Sequence, residues 1–530
     1  MASRFVRKVR TASGAVAVQI VAKDRGQVVE VDHVGSAHTD AELALLLDLA
    51  RDRLRPGQGT LDLGPLPRVE VRTEDVADWT AAASLPVAAP GGRPRLVAGG
   101  GRVVATASLL LWDVLAQAYS RLGFDVLDDE AFRSLVLARI IEPTSKADTL
   151  RVLEEIGVPA PALRTVFRCL ERCSRQDYRD IIAKACLAHS VRSTGPAAMV
   201  MYDVTTLHFT NEDEDELRRV GMSKEHRVDP QVQVGLLVDP GGFPLEVHLF
   251  DGRKAETTTL VPVLKAFQER HGVTDMVVVA DAGMLSAGNL NALEDAGFSF
   301  IVGSRLTKAP YDLAEHFEAH GDWFEDGQIL ESVRTLGTGK DARERRIVYQ
   351  YSFKRAKRDR RTINLMVEKA ERIAAGATPL KKARFLKVTG AEKALDQTTI
   401  ERARQLAGLK GYVTSLPEAT MSGSAVIGAY HDLWAVEASF RMTKSDLKAR
   451  PVFHHQREAI EAHLTVVFAA LAIARHLQDA TGVSIKKLVQ TLRPVRSATI
   501  EVNGQRLTLE PNIPPTAQEI LTTLGLIAGH

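Results

Sequence analysis

The chain has 530 residues, 45% hydrophobic and 25% charged, an ordinary balance for a folded protein with room for roughly three or four domains. Lysine and arginine total 68 against 66 aspartates and glutamates, so a net charge of +2 announces no nucleic-acid partner, and local clusters have to carry any such argument. Aromatics at 5% are too few for extended base-stacking platforms, and three cysteines (Cys169, Cys173, Cys186) form no disulfide framework and point to a reducing, cytoplasmic setting.

The first ten residues, MASRFVRKVR, are basic but lack the apolar stretch of a signal peptide. Alternating segments at 16–21 and 28–34 predict strands, and 40–55 predicts an amphipathic helix. The Pro/Gly-rich stretch 84–101 reads as a linker, so residues 1–100 form an α+β region plus linker. Residues 101–195 are helical in pattern, with apolar residues at i, i+3, i+4 and i+7 and stops at Gly123, Pro143 and Gly157. Arg133, Arg139, Arg164, Arg168, Arg172 and Arg175 dot these helices. The region reads as a helical DNA-binding domain or as a scaffold with a solvated basic face. Cys169 and Cys173, one turn apart, read as buried thiols or as half of a metal clip, but no His/Cys pair follows at zinc-finger spacing.

From residue 196 the pattern changes. An apolar strand ends at Asp203, and two further strands flank the turn Asp239-Pro240-Gly241-Gly242 as a hairpin. A helix is expected over 257–271, a strand over 276–280 up to Asp281, a helix over 286–296 and a strand over 298–302. Strand, hairpin, helix, strand, helix, strand is the order of a ribonuclease-H-like α/β core, with the two aspartates on adjacent strands. Residues 305–421 interrupt it with short strand-like runs (346–353, 362–368, 383–388, 411–415) and the densest basic cluster, Lys354, Arg355, Lys357, Arg358, Arg360 and Arg361. They read as an inserted, mainly β subdomain. A long helix is expected over 427–449 and another over 458–480. The ribonuclease-H-like catalytic domain thus spans 196–304 and 422–480. The apolar stretch 464–474 is too short to span a bilayer and reads as a core helix. The C-terminal region, 481–530, holds a helix and a hairpin turning at Asn503-Gly504.

Asp203, Asp281 and Glu437 are the candidate catalytic and metal-binding residues. Each alone is weak, since an aspartate at a strand end is more often a cap or ion-pair partner and a helix glutamate more often solvated. Asp239, in its turn, reads as structural, and Glu256 as a helix-dipole charge. Three carboxylates from two strands and a helix fit hard cations such as Mg²⁺ or Mn²⁺. Two such ions about 4 Å apart activate a hydroxyl and stabilise the leaving oxygen of a phosphodiester. Tyr430, Glu437 and Lys444 are spaced by seven residues, almost two helical turns, which puts them on one helix face. Tyr430 and Lys444 would contact DNA phosphates beside the carboxylates; their blander reading is an ordinary amphipathic helix.

The run from Tyr430 through Leu433, Glu437 and Lys444 resembles the tyrosine–arginine–glutamate–lysine signature of one branch of DDE insertion-sequence transposases. The stretch from Leu433 to His454 is similar to the insertion sequence 1634 group. So are Met201-Tyr202-Asp203-Val204-Thr205-Thr206-Leu207 and Val279-Ala280-Asp281-Ala282-Gly283-Met284. The resemblance covers roughly residues 100–525. It implies a Mg²⁺-dependent enzyme that cuts double-stranded DNA at terminal inverted repeats and joins the ends to target DNA. It also implies work as a homodimer on DNA at the nucleoid, with no membrane and no small-molecule substrate. Leu433 stands where the signature has arginine, so Arg441 or Arg450 would supply that phosphate contact. A related subgroup places a tryptophan of the insertion against a flipped base. Trp323 is the corresponding candidate, or else a core aromatic. The alternatives are a metal-dependent DNA endonuclease of the same fold without strand transfer, and a catalytically idle DNA-binding relic.

Overall fold

The computed structural model describes three strands within residues 3–37 and, short stretches aside, residues 102–526. Two compact units divide after Gly99. The first is an antiparallel meander of β1 (Ser3–Arg10), β2 (Val16–Asp24) and β3 (Gln27–Ala37), in which Arg10 opposes Val16 and Val18 and Val21 are fully buried. The strands expected at 16–21 and 28–34 are β2 and β3. The helix expected at 40–55 and the linker at 84–101 lie outside the described residues, as do Glu256 and Asn503-Gly504.

The second unit begins with β4 (Arg102–Ala107), followed by helices Leu109–Arg121, Glu130–Ile141, Thr149–Glu155, Leu163–Arg175 and Tyr178–Thr194. Then come β5 (Met199–His208), β6 (Gln231–Val238), β7 (Pro244–Asp251), β8 (Val277–Ala280) and β9 (Ser299–Ser304), with helix Leu260–His271 before β8 and Ala287–Asp295 after it. β10 (Ile329–Leu336), β11 (Arg343–Tyr351) and β14 (Leu409–Thr414) complete one eight-stranded sheet of order β10-β11-β14-β9-β8-β5-β6-β7. Only β5–β8 and β8–β9 pair in parallel. All eight residues of β6 are buried, because helices lie against the sheet where it runs.

Helix Arg457–Thr481 is the spine of this unit, packing against four helices of the 109–194 layer, β7 and helix Trp434–Ser445. Its 25 residues are long and apolar enough to cross a bilayer, yet 89% of that apolar window is buried in the protein. The core-helix reading therefore rests on burial and not on length. The chain also closes on itself: β15 (Ser497–Val502) pairs with both β4 and β16 (Gln505–Leu509), and the Ser108 hydroxyl donates to the Arg493 carbonyl at 2.7 Å.

Four expectations change. β5 does not stop at Asp203; its β-branched continuation pairs with β6 as far as His208. The strand expected at 362–368 is part of the 22-residue helix Phe353–Ala374, whose Ile363, Val367 and Ala370 are buried at helical spacing. The long helix expected at 427–449 is two, Gly423–His431 and Trp434–Ser445. Between them the backbone tightens to three-residue hydrogen bonds, from Leu433 to the Tyr430 carbonyl (3.2 Å) and from Ala435 to that of Asp432 (2.9 Å). Finally, 305–421 is not mainly β. Its β10, β11 and β14 extend the central sheet, and the rest holds helices and a hairpin of β12 (Leu386–Thr389) and β13 (Glu392–Leu395). A small separate core of Ile363, Val367, Ala370, Phe385, Ile400, Ala403 and Ala407 joins helices Phe353–Ala374 and Gln397–Gln405.

In the helical layer, Asp129 caps helix Glu130–Ile141, accepting from the Phe132 amide at 3.1 Å, from Arg172 at 2.5 Å and from the Tyr178 hydroxyl at 2.9 Å. Burial pushes its carboxyl pKa up, but these donors outweigh it and the net shift is downward. Asp129→Asn should cost about 1.5–3 kcal/mol in urea unfolding at pH 7. Because the folded pKa is depressed, the aspartate's advantage should be complete above about pH 4 and fade as the pH falls below it.

Candidate active site

The two aspartates are brought together by strand pairing. β5 and β8 align Met199 with Val277, Val200 with Val278, Met201 with Val279 and Tyr202 with Ala280. The same register carried one residue further sets Asp281 beside Asp203, on strands about 4.8 Å apart. Val277, Val278 and Val279 make β8 a buried strand, and Asp281 emerges exposed where it ends, at the start of a 3-10 turn over Ala282–Met284. This is the carboxyl end of a parallel strand, where open α/β sheets expose side chains to ligands. Asp203 is half-buried within β5, and its Oδ1 accepts from the Val204 amide at 2.8 Å.

Tyr430 crosses above these strands. Ser422 caps its helix by accepting from the Ala425 amide at 3.3 Å, and the buried Tyr430 ring lies over β9 and β14. Its hydroxyl donates to Asp281 Oδ1 at 2.9 Å. Burial, and then the Asp281 charge, hold the phenol pKa above its usual value, which keeps it the donor. Gly303 of β9 makes this approach possible: a Cβ there would meet the Tyr430 hydroxyl and ring carbons.

Sequence reasoning missed Lys410. It stands on β14 opposite Gln350, with its ammonium 4.2 Å from the centre of the Tyr430 ring and 5.3 Å from that of Tyr412. Burial lowers its pKa, helped by Arg355 and Arg358 and opposed by Asp281 and Glu437. One cation therefore lies in the field of two of the three candidate carboxylates. Glu437 is exposed in the first turn of helix Trp434–Ser445, which packs on β5 and β6. A carboxylate there also suits the helix dipole.

The other candidates are distributed as follows. Lys444 is half-buried in the last turn of the Glu437 helix, and Arg441 is exposed on it. Leu433 is only 8% exposed, so the position corresponding to the signature arginine is part of the core at the junction of two helices. Arg450 is half-buried in the segment that returns to the end of β5, where Val452 bridges Phe209. The basic cluster is helical and divides by face. Arg355 and Arg358 act on Lys410, whereas Lys357, Arg360 and Arg361 line an open cleft of about 660 Å³ with Trp323 and Phe353. Lys354 is exposed at the start of that helix. Trp323 is 62% exposed, and its neighbour Phe324 is the core aromatic, stacked on Tyr351 at 4.8 Å.

In the helical region, Arg139 is buried, and Arg133, Arg172 and Arg175 pair with Glu130, Asp129 and Glu171; Arg164 and Arg168 are exposed. The three cysteines are buried with raised thiol pKa values, burial being the first cause, so they behave as core side chains. Asp239 is structural, accepting from Ser190 at 2.7 Å and from the Phe243 amide at 2.9 Å. Adjacent Asp203 and Asp281 have the donor chemistry that Mg²⁺ and Mn²⁺ take. Among the described residues, however, no three His, Cys, Asp or Glu side chains are gathered closely enough to hold an ion.

The family model for the transposase DDE domain matches residues 197–473, the stretch that carries β5, β8 and both helices above them. The chain belongs to this transposase family. Among solved structures, this transposase is similar to the piggyBac transposase synaptic complex with hairpin DNA, at 11% identity over 73% of this chain and 70% of that chain, TM-score 0.34. It is also similar to the Mos1 transposase paired-end complex with left transposon end, at 14% identity over 49% of this chain and 75% of that chain, TM-score 0.15. Both scores are too low for either likeness to bear on the site. No curated protein matches the chain.

Gly303→Ala should displace the Tyr430 ring and cost about 1–3 kcal/mol in unfolding. Tyr430→Phe should cost only about 0.5–1.5 kcal/mol, because one hydrogen bond is lost and the packing stays. A Gly303→Ala protein as stable as the wild type would show that the ring does not rest on Gly303.

Proposed function

We propose that this transposase cuts double-stranded DNA at the terminal inverted repeats of its own insertion sequence and joins the ends to target DNA by two-metal phosphoryl transfer. The observation that carries the reading is the in-register pair Asp203 and Asp281 with Tyr430 bonded to Asp281, inside the matched domain. The strand order β7-β6-β5-β8-β9, with β5, β8 and β9 parallel, supports a ribonuclease-H-like core. Tyr430, Glu437 and Lys444 support the tyrosine–arginine–glutamate–lysine branch and the insertion sequence 1634 group, with Leu433 as the departure.

Asp203 and Asp281 would hold two Mg²⁺ ions, or Mn²⁺, with Glu437 as the third carboxylate. Bound ions of this kind activate the attacking hydroxyl and stabilise the departing oxygen. The chain's own residues do the positioning. The Tyr430 hydroxyl fixes which Asp281 oxygen stays free. Lys410 reduces the repulsion between Asp281 and Glu437. Lys444, Arg441 and Arg450 grip phosphates, and Lys354, Arg355, Lys357, Arg358, Arg360 and Arg361 supply a basic helix for the backbone. Trp323 stands exposed beside that helix as a surface for an extruded base. The helices of 101–195 take the element end, and two protomers act together on DNA in the cytoplasm, at the nucleoid.

Asp203→Asn, Asp281→Asn and Glu437→Gln should each abolish cleavage of a duplex carrying the element's own ends in Mg²⁺, with DNA affinity little changed. Near-normal cutting by one variant removes that residue from the set. Cutting without joining to a target plasmid, by a monomeric DNA complex, favours a metal-dependent endonuclease.

Neutralising Arg355, Arg358, Arg360 and Arg361 together should weaken binding to all sequences alike. It should also flatten the slope of log affinity against log salt by about 0.9 for each lost phosphate contact. An unchanged slope makes this helix a solvated face.

A further inference from the structure

A second cavity, of about 610 Å³, is lined by the helix Glu130–Ile141, the loop after it, the segment 448–454 and the helix Arg457–Thr481. All its ionisable lining residues are basic: Arg139, Lys146, Lys448, Arg450, His454 and His463. It lies well away from Asp203. Val452 bridges Phe209, which is six residues along the extended chain from Asp203, or about 20 Å.

Of these cations, Arg139 is inside the protein and Lys146 is half-buried. Arg139 is only 7% exposed, and among the described residues no carboxylate pairs with it. Lys146 places its Nζ 2.8 Å from His454 Nε2 and 2.7 Å from His463 Nδ1. His463 Nε2 is 3.0 Å from the Ala449 carbonyl. A carbonyl only accepts, so Nε2 carries the proton and Nδ1 is left to accept from Lys146. Two of the three ammonium N–H bonds are then committed to histidines, which leaves one for the cavity that Lys146 lines. The nearby acids are already engaged: Asp148 by Thr144 at 2.6 Å and Arg151 at 2.9 Å, and Glu142 by Arg151 at 2.6 Å and Arg493 at 2.8 Å.

Cations of one sign, desolvated together without a counter-charge, are costly, and an anion relieves that cost. Burial and the Arg139 charge both lower the Lys146 pKa, which marks the same imbalance. A guanidinium and an ammonium converging from different elements suit a tetrahedral oxyanion with acceptors in several directions.

We propose that this cavity is a phosphate-binding pocket in which Arg139 and Lys146 hold one phosphate group while His454 and His463 orient the lysine. The phosphate comes from the backbone of bound DNA or from free inorganic phosphate. Only the first source rests on the transposase reading.

The test compares thermal melting in sodium phosphate and in sodium chloride at equal ionic strength, and then binding to a random-sequence duplex. Phosphate should raise the melting temperature of the wild type and of Asp203→Asn, and should leave Lys146→Met and Arg139→Gln unmoved. In chloride Lys146→Met should melt no lower than the wild type, because it removes a half-buried charge that sits beside the Arg139 cation. Loss of the bound ³¹P signal on adding duplex identifies the backbone as the source, and its persistence identifies free phosphate. A wild type insensitive to phosphate, whose salt slope on DNA still falls by about 0.9 in Lys146→Met, also supports the pocket, filled by backbone alone. The proposal is overturned if phosphate has no effect and neither variant alters the DNA salt slope. It is equally overturned if Lys146→Met melts lower by the same margin in both salts, the behaviour of a lysine that only supports the fold. A phosphate response retained by Asp203→Asn keeps this result separate from any failure of the cleavage reading.

Discussion

Two carboxylates on neighbouring strands repel, and the backbone that carries them has to hold them there. The parallel pairing of β5 with β8 imposes that arrangement, and it does so with apolar side chains. The residues that set the register, Val200, Met201, Val278 and Val279, are fully buried. A slip of one residue would turn their faces inside out, so burial of this kind holds register firmly. Asp203 and Asp281 are thus placed by their neighbours along the chain, and their mutual repulsion is overridden by hydrophobic burial of the strands that carry them.

What surrounds the pair then reads as accommodation of that imposed charge. Tyr430 gives Asp281 a neutral donor held protonated by burial, and Lys410 brings a cation from a strand contributed by the far side of the inserted segment. Lys410 is kept over the Tyr430 ring, and the ring is let down towards the sheet by the missing side chain at Gly303. Four separate stretches, around residues 203, 281, 410 and 430–437, are needed for one small patch of surface.

The alternation and run lengths in the sequence were enough to foresee β5 to β9, the helical character of the 109–194 layer and the structural part played by Asp239. Asp203 and Asp281 stood out as acids closing or interrupting apolar runs, and Tyr430 by its seven-residue spacing from Glu437. Lys410 gave no such sign: a single lysine in the run Leu409-Lys410-Gly411-Tyr412 is unremarkable until β14 is known to lie beside β9, a pairing that no local pattern encodes. Helix Phe353–Ala374 was partly hidden because Thr362-Ile363-Asn364-Leu365 alternates like a strand, and only the longer spacing of Ile363, Val367 and Ala370 betrays the helix. The break at Asp432 and Leu433 contains neither glycine nor proline, so sequence gave no reason to divide the helix there.

The way the chain leaves and re-enters the central sheet between β11 and β14 carries a further consequence. Tyr351 and Leu409 are paired residues on neighbouring antiparallel strands, about 5 Å apart, and the Ser352 amide donates to the Gly408 carbonyl at 3.0 Å. The chain between them, with the basic helix and its own small core, leaves and returns at two adjacent points of the sheet, and only the first turns of the helix, through Ala356 and Asp359, pack back on it. Such a doorway accepts cargo of any size without altering the frame. Length differences among relatives should therefore gather at this doorway, and a foreign domain with close termini could be grafted there with the carboxylates left in place. Cutting out all of 305–421 is a different operation: it would strip β9 of its antiparallel partner β14 and take Lys410 with it.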